Sequence, residues 1–195
     1  MNKVKIVVDS CADLTKELYQ KYDLVVLPQN VTFEGVTYKD GVDTTLEELY
    51  KSVEKTGELP HTAAVSPQVF EDCFKQLIDE GYDVVYVGLG DQLSTTFQNA
   101  FIAKGDFPED RIFLVDSKNL SSGTGLLVLK AGRLAQEGKS AKEIAERSLH
   151  IAGSICIYTN ENITVTLVGN KDIIESKLMS FDCDLNRIEI VNATE

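Results

Sequence analysis

The sequence has 195 residues, of which 43% are hydrophobic and 26% are charged, and this composition is typical of a soluble globular protein that can bury a core. Its 31 acidic residues outnumber its 19 basic ones, and the net charge of −12 disfavours nucleic acid and anionic membrane surfaces as partners. The four cysteines are scattered and the N-terminus enters a strand-like run at once, so we expect a cytoplasmic protein with reduced thiols. No apolar run reaches the ~18 residues of a membrane span, so we expect no such span.

Local patterns predict strands and helices that alternate along the chain. Short β-branched runs bounded by turn residues indicate strands, and a Ser or Thr followed three residues later by an acidic residue indicates a helix start. In the first part we predict a strand over 4–8, a helix from a capping box at Ser10 to about Tyr22, a strand over 24–27, a hairpin of 31–33 with 36–38, and a helix from Thr44 to just before Gly57.

The second part continues this alternation. We predict a turn over 60–67, a helix from Ser66-Pro67 to Gly81, a strand over 84–87, a helix over 94–104, a strand over 112–115, a helix over 125–136, and a helix from a capping box at Ser140 to about His150. Strands that alternate with helices in this way are typical of a doubly wound α/β fold with a mostly parallel sheet.

The pattern changes near Ile155. Strand-like runs at 155–158, 163–168 and 187–191 surround a short helical segment at 171–179. We therefore predict an α/β domain over 1–154 and a short strand–helix–strand appendage over 155–195, which contains a small C-terminal βαβ unit at 161–195.

Hydroxyl, acidic and glycine residues follow the predicted strands. The carboxyl ends of parallel strands lie along one edge of a sheet, where ligands bind, so we expect these side chains to converge there. Neutral hydroxyls suit recognition of a polar head group, and the sequence offers no base that would activate them for catalysis. A binding protein is therefore favoured over an enzyme. The candidate residues are Thr62 and Ser94, supported by Thr95, Thr96, Ser66, Ser10 and Ser121.

Two glycine-rich turns offer alternatives. Gly88 and Gly90 match the first two glycines of a dinucleotide-binding fingerprint, but Leu93 occupies the third position. The Ser121–Gly125 turn opens a predicted helix, where free N–H groups either cradle an anion or receive an ordinary cap. The first turn does not favour a nucleotide cofactor, and the second leaves a phosphate-recognising enzyme open.

Classical catalytic and metal groups are sparse. A pair of His61 with Ser66 or Ser94 would lack both a nucleophile-elbow motif and a placed carboxylate. The two histidines and scattered cysteines predict no metal site. Cys11 lies in acidic surroundings, which raise a thiol pKa. We therefore expect no cofactor and no metal.

Five motifs, in order, are similar to those of the DegV family of fatty-acid-binding proteins, which includes acyl-carrying subunits of bacterial fatty acid kinases. The resemblance covers about residues 3–150, and its motifs are VVDSCADL, LPQNVTFEGVTYKDGVD, PHTAAVSP, LSTTFQNA and VDSKNLSSGTG. It implies that Thr62 and Ser94 hydrogen-bond the carboxylate of a long-chain fatty acid such as palmitate. The chain departs from the family where Thr62-Ala-Ala-Val-Ser66 replaces a pattern closer to T-S-Q-P-S, and where Thr95 replaces a glycine.

The resemblance also implies roles beyond the head-group site. It implies a lipid-binding protein of fatty acid metabolism or lipid transport, with a fatty acid kinase as a partner. DegV proteins carry a second lobe that covers the acyl tail, and we expect that lobe to be missing here. A second copy, a partner or the 151–195 appendage would then have to cover the tail, and our hypothesis is a homodimer. Residues 161–195 are similar instead to a fragment of the bacterial phosphate acyltransferase that makes acyl phosphate. An enzyme of acyl-phosphate metabolism and a truncated non-binding remnant remain the alternatives.

Overall fold

The computed structural model describes residues 2–105 and 107–155, together with the backbone of 165–169 and 188–192. The chain divides into two compact units, Met1–Cys156 and Ile157–Glu195. The first unit contains the candidate residues, and its fold determines how they are arranged.

A four-stranded parallel sheet forms the centre of the first unit. Its strands are β1 (Val4–Asp9), β2 (Val25–Leu27), β6 (Asp83–Gly88) and β7 (Ile112–Asp116), in the order β2-β1-β6-β7. Each pairing is parallel, with Val7 opposite Val25 and Tyr86 opposite Leu114. The four carboxyl ends therefore lie along one edge, as the sequence pattern predicts.

Helices cover both faces of this sheet, which confirms the predicted doubly wound α/β fold. One face packs against α5 (Ser122–Gln136) and α6 (Ala141–Ile155), and the other against α3 (Pro67–Asp79) and α4 (Thr96–Lys104). The strands alternate between the two cores because successive side chains point to opposite faces. Val8, Val85 and Val87 lie in the first core, whereas Val7, Val84 and Tyr86 lie in the second.

A small antiparallel sheet lies beside the main one. It consists of β3 (Asn30–Phe33), β4 (Val36–Lys39) and β5 (His61–Ala63), in the order β4-β3-β5. The predicted hairpin is confirmed, and Glu34 and Gly35 take the positive φ angles, 48° and 77°, that a two-residue hairpin turn requires. The prediction of a turn over 60–67 is wrong for its first part, because residues 61–63 pair with β3 as a strand.

Two predicted helix starts differ from the structure. The helix predicted from Ser10 is instead a 3-10 turn, Ser10–Ala12, followed by α1 (Lys16–Lys21). Asp13 ends the turn in a left-handed conformation, φ 48°, and Asp9 caps it by accepting from Cys11 N–H. The capping box near Thr44 belongs to Thr45, whose side chain and that of Glu48 cap α2 (Leu46–Thr56) reciprocally.

Later helix boundaries also shift. The helix predicted from Ser94 begins as α4 at Thr96, and the helix predicted from Gly125 begins as α5 at Ser122. The helix predicted to end near His150 continues as α6 to Ile155, so the strand predicted at 155–158 is wrong at its first residue. Residues 156–158 lie outside the described part.

The second unit contains two described strands, β8 (Val165–Gly169) and β9 (Ile188–Asn192). They pair in parallel, with Val165 opposite Ile188. The helix predicted at 171–179 lies outside the described residues.

Candidate functional site

The side chains of Gln29, Thr96 and Ser94 form a hydrogen-bonded series, which we call the Gln29–Thr96–Ser94 relay. Gln29 Nε2 donates to Thr96 Oγ1 at 2.9 Å, and Thr96 Oγ1 lies 2.9 Å from Ser94 Oγ. Ser94 Oγ also accepts from the Thr96 backbone N–H at 3.2 Å. Gln29 and Thr96 are buried and Ser94 is half-buried, so Ser94 is the member that reaches solvent.

The backbone of Gln29 is held on both sides. Its N–H donates to Ser10 Oγ at 3.1 Å, and its carbonyl accepts from the Asp40 N–H at 2.9 Å. Ser10 follows β1 of the main sheet and Asp40 follows β4 of the small sheet. Ser10 therefore supports the relay through Gln29, instead of capping a long helix.

Thr62 lies on β5, opposite Val31 of β3, and its side chain is exposed. Opposed residues of an antiparallel pair point to one face, as do residues two apart along a strand. The Asp40–Gln29 hydrogen bond extends the β3–β4 ladder by one residue, so Gln29, Val31 and Thr62 share a face. This geometry places Thr62 on the face of the small sheet from which Gln29 reaches Thr96.

The segment after β5 is attached to α4. Asn99 Nδ2 donates to the Val65 carbonyl at 2.8 Å. Because Ser94 lies just before α4, this bond connects the two chain segments that carry Thr62 and Ser94. Within residues 2–105, no hydrogen bond joins the two side chains directly.

Three other predicted residues do not join the relay. The side chains of Ser66, Thr95 and Ser121 make no hydrogen bond within the described residues, and neither Ser66 nor Ser121 caps its helix through its side chain. They remain candidates by position only.

The Ser121–Gly125 turn is folded tightly against the 3-10 turn. The N–H groups of Ser121, Gly123 and Gly125 already donate to the carbonyls of Cys11, Leu120 and Ser121. A Cβ atom on Gly125 would lie 2.7 Å from the Ala12 carbonyl oxygen, so glycine is needed for close packing. Both features favour a structural role for this turn over an anion cradle.

The buried carboxylate of Asp9 organises the end of β1. It accepts hydrogen bonds from the Tyr86 hydroxyl at 2.8 Å, from Leu89 N–H at 3.0 Å and from Cys11 N–H at 3.1 Å. Burial raises the pKa of Asp9, and these hydrogen bonds offset only part of that effect. All of its partners belong to the fold, so Asp9 stabilises strand ends and does not face a ligand.

The thiol of Cys11 is poorly suited to nucleophilic chemistry. Burial, together with the charges of Asp9, Asp40 and Asp13, raises its pKa to about 12. The predicted direction is correct, although burial is the larger cause. A thiol of this kind is almost entirely protonated near pH 7.

Lys118 connects two loops at the same edge of the sheet. Its ammonium group pairs with Asp91 at 2.9 Å and with Asp116 at 2.5 Å. Burial disfavours the charged form of Lys118, but the hydrogen bonds and charges of the two aspartates raise its pKa overall. Both acceptors neutralise this cation, so it is engaged in joining the loops after β6 and β7.

The arrangement is suited to hydrogen bonding. Within residues 2–105 and 107–155, no hydrogen bond joins His61 to Ser66 or Ser94, and no cluster of His, Cys, Asp and Glu side chains could hold a metal ion. In the same ranges, no helix combines the length and the apolar character needed to cross a bilayer. Within the described part of the chain, the relay therefore presents a hydroxyl group with no activating base hydrogen-bonded to it.

A groove of about 680 Å³ reaches Ser10, and its lining contains none of the three relay residues. Its lining combines Ser10, which holds Gln29, and the charged residues Asp13, Lys16 and Asp40 with the side chains of Leu14, Tyr19, Val26, Val42 and Leu46. The apolar side chains of this groove suit an acyl tail, whereas Asp13 and Asp40 disfavour a carboxylate head group there.

Sequence reasoning missed Gln29 and Asn99. A search limited to hydroxyl and acidic groups passes over amides. The available signal was a polar residue directly after Leu27-Pro28, at the carboxyl end of a predicted parallel strand, where side chains face the ligand-binding edge.

A family model described as "Uncharacterised protein, DegV family" matches residues 3–162. The chain is 36% identical over 167 residues to a DegV domain-containing protein of Clostridium perfringens, covering 84% of this chain and 60% of that one. It is 39% identical over 144 residues to a DegV domain-containing protein of Caldanaerobacter subterraneus, covering 74% of this chain and 51% of that one. The chain thus spans about half to three fifths of the length of these relatives.

Solved structures show the same fold. A DegV family protein from Thermus thermophilus, described as binding fatty acid, superposes with a TM-score of 0.72 at 29% identity and covers 78% of this chain and 54% of its own. A stearic acid-binding protein from Eubacterium ventriosum superposes with a TM-score of 0.68 at 31% identity and covers 77% of this chain and 53% of its own. Because the family model matches residues 3–162, which is most of this chain, the chain belongs to the DegV family.

Proposed function

We propose that this chain is a non-enzymatic lipid-binding protein that holds the carboxylate of a long-chain fatty acid, such as palmitate, with Ser94 and Thr62. The observation that carries the proposal is the Gln29–Thr96–Ser94 relay, which leaves one half-buried hydroxyl at the ligand-binding edge with no base beside it. The fatty acids bound by structural neighbours support this choice of ligand.

Thr62 contributes the second hydroxyl in this proposal. Its side chain is exposed and lies on the same face as Gln29, so it can donate to an anion without first breaking a bond within the fold. Hydrogen bonds to charged groups contribute about 1.5–3 kcal/mol each. Two such bonds would fix the head group, while burial of the tail would supply most of the affinity.

The proposal extends to partners. We propose that the bound acyl chain is presented to a fatty acid kinase. Residues 1–154 would form the binding domain, with 155–195 as an appendage. The residues that would support the site are Ser10, Ser66, Thr95, Thr96 and Ser121. A pull-down of a fatty acid kinase with the palmitate-loaded chain, compared with the delipidated chain, tests the partner.

The binding test uses delipidated protein, native mass spectrometry and a displacement assay with a fluorescent fatty acid. We expect one palmitate per site, and Ser94→Ala and Thr62→Ala should each weaken binding about 10- to 100-fold, as loss of a charge-assisted bond implies. The matched control is Thr37→Ala, which removes an exposed hydroxyl of the same small sheet, bonded to Thr32. Unchanged affinity in both site variants would contradict the proposal.

A further inference from the structure

The distances in the relay favour one direction of its hydrogen bonds. Thr96 Oγ1 lies 2.9 Å from Ser94 Oγ but 3.4 Å from Gln29 Oε1. Hydrogen bonds between oxygens have donor–acceptor distances of about 2.5–3.0 Å, so the single proton of Thr96 is better placed towards Ser94. Gln29 Nε2, at 2.9 Å, then donates to Thr96.

This direction determines what Ser94 offers to a ligand. Its oxygen accepts from the Thr96 hydroxyl and from the Thr96 N–H. A serine hydroxyl has two acceptor lone pairs and one proton, so both lone pairs are engaged and the proton remains. Ser94 therefore faces the ligand as a donor.

We infer that Gln29 is a positioning residue that makes the site select an acceptor-only head group, a carboxylate, over neutral head groups that must donate. The inference rests on the proposed function and deepens it. Gln29 does not touch the ligand; its buried amide sets the direction of the two hydroxyls between itself and the ligand. Its own position is fixed because its backbone is held by Ser10 and Asp40.

A reversal of this direction should change selectivity. In Gln29→Glu, measured at a pH high enough to ionise the buried carboxyl, residue 29 accepts only, so Thr96 turns its proton towards residue 29 and Ser94 turns its proton towards Thr96. Ser94 would then present lone pairs to the ligand. We expect the ratio of affinities for palmitate over palmitamide to fall at least tenfold, a change in preference that a loss of packing alone would not produce.

Two neutral variants separate hydrogen-bond direction from added charge. Gln29→Met removes the donor while keeping the side-chain length, and Thr96→Val removes the middle hydroxyl while keeping the shape. Each should lower the palmitate-to-palmitamide ratio about three- to tenfold, because Ser94 is no longer constrained to donate outwards. The charge control is Gln98→Glu, which adds a carboxylate at an exposed position of α4 outside the relay.

The experiment measures both affinities by displacement of a fluorescent fatty acid, after thermal unfolding has shown which variants fold. If palmitate binds and Ser94→Ala weakens it, but Gln29→Met and Thr96→Val keep the wild-type ratio, the inference is overturned and the proposed function stands. If the wild-type chain does not bind palmitate, both are overturned together. A fall of the ratio in Gln98→Glu equal to that in Gln29→Glu would also overturn the inference, since charge alone would then explain it.

Discussion

The buried carboxylate of Asp9 gives this fold a specific dependence on pH. Its pKa is raised in the folded protein, mainly by burial, so over part of the acidic range the folded state binds more protons than the unfolded state. The stability contributed by protonated Asp9 is fully present below the unfolded pKa of about 3.9 and is lost as pH rises through the folded pKa.

The prediction concerns Asp9→Asn. The free energy of unfolding of the wild type, minus that of Asp9→Asn, should fall as pH rises from about 3.5 and then level off above the folded pKa of Asp9. Urea unfolding at a series of pH values measures this difference. Asp13→Asn, which changes an exposed carboxyl of the same loop, is the control, and a difference that rises with pH would refute the assignment.

Residue types alone did not reveal how the hydroxyls divide their roles. Ser94 and Ser121 both precede helices in the sequence, yet Ser94 joins the relay, whereas the N–H of Ser121 donates to the Cys11 carbonyl. The difference arises from contacts with segments far away along the chain. Gln29, 67 positions from Thr96, shows why a local reading could not identify the relay.

At the scale of elements, β5 depends on α4 for its position. The strand has three residues, all exposed, and pairs only with β3 within the described part of the chain. The Val65 side chain is buried in the second core, and the Asn99–Val65 hydrogen bond adds a further constraint on the segment that carries Thr62.

We predict that Asn99→Ala loosens β5. Loss of a bond worth about 1 kcal/mol should speed amide hydrogen exchange at 61–65 roughly fivefold. It should also weaken palmitate binding while leaving exchange in β1 and β6 unchanged. Hydrogen-exchange mass spectrometry measures this, with the exposed neighbour Gln98→Ala as the control. Equal exchange at 61–65 in the wild type and in Asn99→Ala would show that β5 is held in another way.

Strands of the main sheet were predictable because they are short, β-branched and buried on both faces. Helix starts were predicted less well because several Ser, Thr and Asp residues compete for the capping position. At Ser10 the side chain binds Gln29 instead, and the left-handed Asp13 interrupts the helix. β5 was missed because His61–Ala63 has neither length nor alternation; only pairing with β3 makes it a strand.

At the scale of the whole molecule, coverage of the acyl tail would limit the affinity of the proposed fatty acid site. Full burial of about 15 methylenes, at ~0.8 kcal/mol each, would contribute ~12 kcal/mol to the binding free energy. If only half of them were buried, ~6 kcal/mol would be lost, which is about 10⁴-fold in affinity. The groove beside Ser10 is open, and its side chains Val42 and Leu46 are each 69% exposed. We propose that a second copy of the chain covers this groove when fatty acid is bound.

The prediction is a ligand-linked homodimer. Sedimentation velocity should show palmitate shifting the chain from monomer towards dimer, and Leu46→Ser should reduce both the shift and the affinity about tenfold, as loss of a buried leucine implies. Ile102→Ser is the matched control, since Ile102 is 62% exposed on α4. Tight palmitate binding by a chain that remains monomeric would contradict the proposal.

Local periodicity and turn chemistry were enough to predict the alternation of strands and helices, the hairpin at Glu34-Gly35 and the shared edge at the carboxyl ends of the parallel strands. Its motifs also pointed to the DegV family, which the family model confirms. The relay itself became visible in the tertiary structure, which brings Gln29, Thr96 and Ser94 together. It depends on a buried amide from a distant segment, and local periodicity carries no information about such a contact.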